Sequence, residues 1–179
     1  SIGAPLAAGT LIDVGGGSTE PTALAADRDH AGLSIPFGCV RAYANYVRCI
    51  IPTPAECRTI ADAFRKELQA LPNLEGYRSE RLYGIGGSVR ALAKMVAAVW
   101  GDDTRPKSIS RKDMAGLADP LQGDVSVFAH PAVKAAPDRV HRPPPGLIIA
   151  RKPAAELGAA EVSTFQSGIR HGSPVTHMP

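Results

Sequence analysis

Short apolar runs separated by glycine- and proline-rich turns open the chain. Leu11-Ile12-Asp13-Val14 reads as a buried strand that passes into Gly15-Gly16-Gly17 and leaves through Ser18, Thr19 and Glu20. A second strand is predicted over Ser18 to Ala26, and Pro21, which cannot donate to a ladder, demotes it to an edge or a bulge. Ile35, Phe37 and Val40 predict a third strand over Leu33 to Val40, interrupted by Pro36 and Gly38. Together these strands make an antiparallel meander. From Arg41 the period lengthens, and Tyr43, Tyr46, Val47 and Ile50 share one helical face. Thr53-Pro54-Ala55-Glu56 reads as an N-cap, a first-position proline and a first-turn acid. Ile60, Ala63, Phe64 and Leu68 carry that helix to a stop at Leu71-Pro72, with Arg58, Asp62, Arg65, Lys66 and Glu67 on a solvated face.

A second glycine turn follows another apolar strand in Arg81-Leu82-Tyr83-Gly84-Ile85-Gly86-Gly87-Ser88-Val89-Arg90. Ser88 is placed to cap a helix running through Leu92, Met95 and Val96 to Trp100. Beyond Asp102 the period fails: Ser110 to Met114 opens a short helix, while Pro120, Gly123, Pro131 and Pro137 predict loops and helical turns. Arg142-Pro143-Pro144-Pro145-Gly146 punctuates the chain before Leu147-Ile148-Ile149-Ala150, which reads as a buried helix start. Ala154, Ala155 and Leu157 extend that helix across an awkward Pro153, and Gly158 ends it. A last strand is predicted from Glu161 to Phe165. The order is a three-strand meander, a helix, a strand, a helix, an irregular insertion, a helix and a strand, as in an α/β lobe of the ribonuclease-H-like kind.

Composition narrows this picture without redirecting it. The 179 residues suffice for one domain or one lobe of a two-lobed protein, and 44% apolar with 21% charged residues is the balance of a soluble globular chain. A formal charge of +3 suits an anionic small substrate. The basic residues are scattered and aromatics make up only 5%, which argues against nucleic acid as a partner. No apolar run reaches transmembrane length, so no membrane partner is expected. Cys39, Cys49 and Cys57 have no metal-ligand spacing, and reduced thiols predict a cytoplasmic protein. Cys39 is expected in a packing role, and His30 in an exposed loop. Ser1 to Gly9 lead almost at once into a core strand, as in a fragment.

The first glycine turn carries the most chemistry. Three residues without Cβ let successive N–H groups converge on a tetrahedral anion, and Ser18 and Thr19 add hydroxyl donors. Asp13 and Glu20 would repel a phosphate unless a divalent cation sat between them and its oxygens. From the residues alone a glycine-rich hairpin with polar ends stays equally open. Gly86-Gly87-Ser88 frees a helix N-terminus for an anion or a nucleotide, or serves as a plain capping turn. It is no dinucleotide fingerprint, because Val89 stands where the last glycine belongs.

Asp13-Val14-Gly15-Gly16-Gly17-Ser18-Thr19-Glu20, Ile35-Pro36-Phe37-Gly38-Cys39-Val40-Arg41, Gly84-Ile85-Gly86-Gly87-Ser88-Val89-Arg90, Pro145-Gly146-Leu147-Ile148-Ile149-Ala150 and Gly168-Ile169-Arg170 appear in that order. This ordered set resembles the exopolyphosphatase and guanosine pentaphosphate phosphatase (Ppx/GppA) family. The resemblance implies the fold of the actin, sugar-kinase and chaperone ATPase superfamily, with residues 1–172 as its second lobe; residues 173–179 are expected to be a disordered tail. It also implies attack of water on a terminal phosphoanhydride of polyphosphate or guanosine pentaphosphate, assisted by Mg²⁺. Asp13 would hold the metal, Gly15, Gly16, Gly17 and Ser18, with Thr19, would cradle phosphate, and Glu20 would position metal or water. Gly86 and Gly87 match the superfamily's nucleotide-facing turn and, with Ser88, would bind the phosphate chain here.

The family's catalytic glutamate belongs to the first lobe, so the chain by itself is expected to be nearly inactive. His171 stands where the family usually has glutamate, and Pro21, Pro143, Pro144 and Pro153 replace ordinary strand and helix residues. The alternatives are an inactive or binding-only lobe, and a sugar or acetate kinase relative, which the Ser-Thr-Glu run and the Gly-Ile-Arg end disfavour. An orphaned lobe exposes apolar surface, so a homodimer is expected.

Overall fold

The computed structural model describes residues 8–24, 32–100, 106–135, 137 and 141–164. Two strands, β1 (Gly9–Val14) and β2 (Thr19–Leu24), form the opening hairpin, followed by helices α1 (Cys39–Tyr46) and α2 (Pro54–Gln69) and a 3₁₀ turn at Leu74–Tyr77. Next come β3 (Leu82–Ile85), α3 (Gly86–Trp100), β4 (Ser108–Ser110), α4 (Arg111–Ala118), a 3₁₀ turn at Asp119–Gln122, α5 (Val125–Ala135), α6 (Pro143–Glu156) and β5 (Glu161–Thr164). The five strands form one sheet in the order β2-β1-β3-β5-β4. β1, β3 and β5 run parallel, and the outer strands β2 and β4 are antiparallel to their neighbours.

β2 is an edge strand, as Pro21 requires. Thr19 exchanges both backbone bonds with Ile35, at 2.9 and 2.8 Å, on the outer side of β2. Pro21 faces the same way, so its missing N–H falls outside the sheet, while its carbonyl accepts from Leu33 N–H at 3.2 Å. The predicted third strand shrinks to that one Thr19–Ile35 bridge. Pro36 has no N–H to extend a ladder, Phe37 N–H folds back onto Ile35 O at 2.7 Å, and α1 begins at Cys39 rather than near Arg41. The predicted face Tyr43–Tyr46–Val47–Ile50 also gives way: α1 stops at Tyr46, buries Cys39 and Ala42, and leaves Ile50 67% exposed.

α2 forms as its sequence directs. Thr53 accepts from Glu56 N–H while the Glu56 carboxylate accepts from Thr53 N–H, and the helix buries Cys57, Ile60, Phe64 and Leu68. Phe64 meets the Phe37 ring edge-on at 5.4 Å, which ties α2 to the chain entering α1. Beyond Asp102 the short helix expected from Ser110 forms as α4, while β4 and α5 stand where loops and helical turns are expected. Ser110 ends the short strand β4 and caps α4 through Asp113, and α5 runs through Pro131.

α6 is the central helix. Its face is apolar nearly all round, with Pro143 to Ala150, Pro153 and Ala154 buried, and it packs on α1, α2, α3 and α4. It begins at Pro143, earlier than the predicted start at Leu147, because prolines in a first turn have a helical φ and lack only N–H groups that would go unpaired there. It also continues through Pro153 to Glu156, and Gly158, at φ 82°, ends it. Among the described residues no helix is long and apolar enough to cross a membrane. The Gly168-Ile169-Arg170 motif, His30 and His171 lie outside the described residues.

Candidate functional site

Everything at the first glycine turn follows from how α1 docks beneath it. The hairpin closes with Gly15 N–H on Ser18 O at 3.0 Å. The first amides of α1 then take the turn's carbonyls: Cys39 N–H donates to Gly15 O at 3.0 Å, and Val40 and Arg41 N–H donate to Gly16 O at 2.9 and 3.1 Å. In a trans peptide the N–H points opposite to its carbonyl, so the Gly16 and Gly17 amides face away from α1. The docking is close enough that only glycine fits at position 38, where a Cβ would lie 2.5 Å from the Gly16 carbonyl carbon and oxygen and 2.6 Å from Ser18 N.

The hairpin register sets Asp13 directly opposite Glu20. Cross-strand partners share a face, so the two carboxylates lie on the same side of the sheet. Ser18 Oγ donates to Glu20 Oε1, so its hydroxyl orients the carboxylate. Thr19 is placed elsewhere: it is fully buried and its hydroxyl donates to Phe37 O at 2.7 Å. That bond uses the donor expected for phosphate and makes Thr19 part of the scaffold.

The second turn lies beside the first because β3 pairs parallel to β1, with Asp13 level with Ile85. Both chains leave the sheet at the same end, where open α/β sheets place their ligands. Gly86 has φ 93°, and a Cβ there would stand 2.5 Å from Asp13 Oδ1 and 3.0 Å from Val14 O. Gly86 is thus glycine for two reasons, its backbone and the carboxylate beside it. α3 starts at Gly86, so Ser88 sits inside its first turn and does not cap it. Ser88 is buried, and its hydroxyl donates to Cys39 Sγ at 3.3 Å. Gly87 is open to solvent, with nothing within 4 Å of a Cβ. The first N–H groups of α3 have no partner within the helix, which makes this turn suited to an anion.

A cavity of about 80 Å³ joins the two turns and is bordered by Gly15, Gly16, Gly87, Ser88, Cys39 and Arg142. Arg142 was no site candidate on sequence; its only signal is an arginine placed directly before a triple-proline helix start. A larger cavity of about 440 Å³ lies among α2, α4 and α6, rimmed by Arg58, Arg111 and Arg151, and shares no residue with the glycine turns. It also holds Cys57, whose thiol burial pushes up to about 11. Such a thiol is a packing group rather than a nucleophile.

The donor set at the turns fits a hard cation. Asp13 and Glu20 supply two opposed carboxylates, and among the described residues no group of three His, Cys, Asp or Glu side chains gathers anywhere. Two carboxylates beside an anion cradle suit Mg²⁺, which keeps waters and takes phosphate oxygens for its remaining positions.

The family model for Ppx/GppA phosphatases matches residues 4–179. The chain belongs to the Ppx/GppA phosphatase family. Solved structures that share its fold include the Ppx-GppA enzyme of Aquifex aeolicus (TM-score 0.69, 19% identity, 89% of this chain and 54% of that one), the type II variant of the Aquifex aeolicus Ppx/GppA phosphatase (TM-score 0.71, 18% identity, 89% and 53%), and an exopolyphosphatase from Cytophaga hutchinsonii (TM-score 0.68, 16% identity, 88% and 52%). No curated protein matches the chain. The chain therefore has the actin-like ATPase fold of Ppx/GppA proteins and spans about half the length of these structures. The family assignment agrees with the resemblance carried by its glycine motifs.

Proposed function

We propose that this chain is the phosphate-binding lobe of a Mg²⁺-dependent exopolyphosphatase-like hydrolase, which releases terminal phosphate from inorganic polyphosphate or guanosine pentaphosphate. The observation that carries the reading is the meeting of two glycine turns at the carboxyl ends of β1 and β3, with Asp13 opposite Glu20 at their edge. In this reading Asp13 and Glu20 hold Mg²⁺, and Ser18 keeps the Glu20 carboxylate in place. Gly16, Gly17 and the first turn of α3 present amides to the phosphoryl oxygens. Bound Mg²⁺ would supply charge neutralisation on the transferring group.

Phosphoryl transfer depends on positioning and charge neutralisation from both sides of the cleft. A lobe half the length of its structural neighbours holds substrate without turning it over, and a first lobe supplies the base that activates water. Three free cysteines accord with a cytoplasmic protein. The test is phosphate release from long-chain polyphosphate by this chain fused behind a first lobe from another family member. The fusion is expected to turn over only with Mg²⁺ and to lose at least 100-fold in Asp13→Ala and Glu20→Ala, a loss of the size seen when one electrostatic group is removed, while the chain alone stays silent. A folded fusion that binds polyphosphate without hydrolysing it would favour a binding-only lobe, and undiminished turnover in Asp13→Ala would refute the site.

A further inference from the structure

Among the described residues, one buried side-chain nitrogen or oxygen has no hydrogen-bond partner, and it is Nε of Arg142. Neither ion pair found there, Arg65–Asp62 or Arg78–Glu75, involves this residue. Buried donors are almost always satisfied, and a charged one left without an acceptor is costlier still. Arg142 borders the 80 Å³ cavity between the glycine turns, so the residue with the unsatisfied nitrogen also lines the anion cradle.

The backbone around it explains why a side chain is needed. Arg142 stands at the N-cap of α6, and Pro143, Pro144 and Pro145 fill the first three helical positions without an N–H among them. The next amide, Gly146, already donates to Arg142 O at 2.9 Å. The start of α6 thus keeps the positive end of its dipole but offers an anion no amide. α1 offers none either, because its first amides hold the Gly15 and Gly16 carbonyls. Donors from the α6 side must come from Arg142. The cavity lining holds that cation, Ser88, glycine backbone and the apolar Val14, Ala91 and Pro143, and no carboxylate. Its volume suits a single tetrahedral oxyanion.

We infer that Arg142 is an anion-binding residue of this site, its guanidinium taking oxygens of the terminal phosphoryl group from the side that lacks carboxylates. The inference rests on the phosphate-site reading above, and it assigns the residue that reading leaves out. A planar fork matches phosphate oxygens in a way an ammonium does not.

The test uses the full chain as wild type, Arg142→Met and Arg142→Lys, with thermal unfolding and calorimetric titration of tripolyphosphate and orthophosphate. Without anion, Arg142→Met is expected to melt at or above the wild-type temperature, because it removes an unsatisfied buried donor. With anion the wild type gains stability and Arg142→Met does not, and its affinity falls about 10- to 100-fold with or without Mg²⁺, as for a lost charge-assisted bond. Arg142→Lys is expected to recover only part of that loss. If the wild type binds neither probe, the phosphate-site reading fails and this inference fails with it. If the wild type binds and Arg142→Met binds equally well, the site stands and the role of Arg142 is overturned. A loss of stability in anion-free Arg142→Met would assign it a structural role instead and also overturn the proposal. Should Arg142→Met not fold, Arg142→Lys decides, since wild-type affinity in that variant contradicts a role for the guanidinium fork.

Discussion

Replacing Gly86 by alanine tests the junction on which both turns depend. Its φ of 93° lies where an L-residue is strained by about 1–2 kcal/mol. The new methyl would also stand 2.5 Å from Asp13 Oδ1 and 3.0 Å from Val14 O. The carboxylate can swing away, but the Val14 carbonyl belongs to the last residue of β1 and cannot retreat without disturbing the strand, which adds about 1–2 kcal/mol, as for other overpacked sites. The sum is about 2–4 kcal/mol, and at 2–4 °C per kcal/mol for a chain of this size the melting temperature falls by roughly 4–16 °C. Gly87→Ala is the matched control. No heavy atom lies within 4 Å of its Cβ, so it stays within about 1 kcal/mol of wild type. Thermal unfolding followed by circular dichroism reads both. A Gly86→Ala protein melting with the wild type, or a Gly87→Ala protein falling as far, would refute the packing described for Asp13 and Gly86.

Gly38→Ala is expected to lose at least about 2 kcal/mol in urea unfolding, because its methyl meets the Gly16 and Ser18 backbone at 2.5–2.6 Å, and an unchanged midpoint would contradict the docking of α1 under the turn. Thr53→Ala removes the capping box of α2 and is expected to cost about 1 kcal/mol at neutral pH. The hydrogen bond from Thr53 N–H holds the Glu56 carboxyl below its ordinary value of 4.5, so its contribution is present above that pH and lost as pH falls through the lowered value. The gap in melting temperature between wild type and Glu56→Gln should therefore close on acidification below 4.5, and a gap that widens would reverse the sign. Thiol labelling at pH 8 should modify exposed Cys49 first and leave buried Cys39 and Cys57 untouched until unfolding, Cys57 also because its pKa of about 11 keeps it protonated; early labelling at Cys57 would contradict its burial.

The parts of this structure written in local sequence could be read directly. The β1 turn, the Thr53–Glu56 capping box and the strand-to-helix passage at Gly86 each lie within a few residues and have one low-energy outcome. What could not be read depends on partners distant in the chain. Ile35 and Phe37 alternate like a strand, yet Pro36 leaves no ladder to join, and Phe37 packs against Tyr46 and Phe64 instead. β4 is three residues of Ser-Ile-Ser whose strand state comes from pairing with β5. Thr19 looked like a phosphate donor because it follows three glycines, but its hydroxyl reaches the Phe37 carbonyl, eighteen residues on. Ser88 looked like a cap, and its hydroxyl meets Cys39 across 49 positions. Arg142 enters the site because α6 is threaded through the core and delivers its first turn to the glycines, which no local pattern around the three prolines announces.

The central claim is that Asp13 and Glu20 couple a divalent cation to phosphate held at the glycine turns. The most direct measurement is calorimetric titration of tripolyphosphate into the chain with and without Mg²⁺, for wild type, Asp13→Ala and Glu20→Ala. Mg²⁺ is expected to tighten binding in the wild type by about 10-fold or more, the usual size of a coupling between two ligands, and to leave both variants close to their metal-free affinity. Equal tightening by Mg²⁺ in Asp13→Ala would contradict the account, because the cation would then be reaching the phosphate without the carboxylate pair.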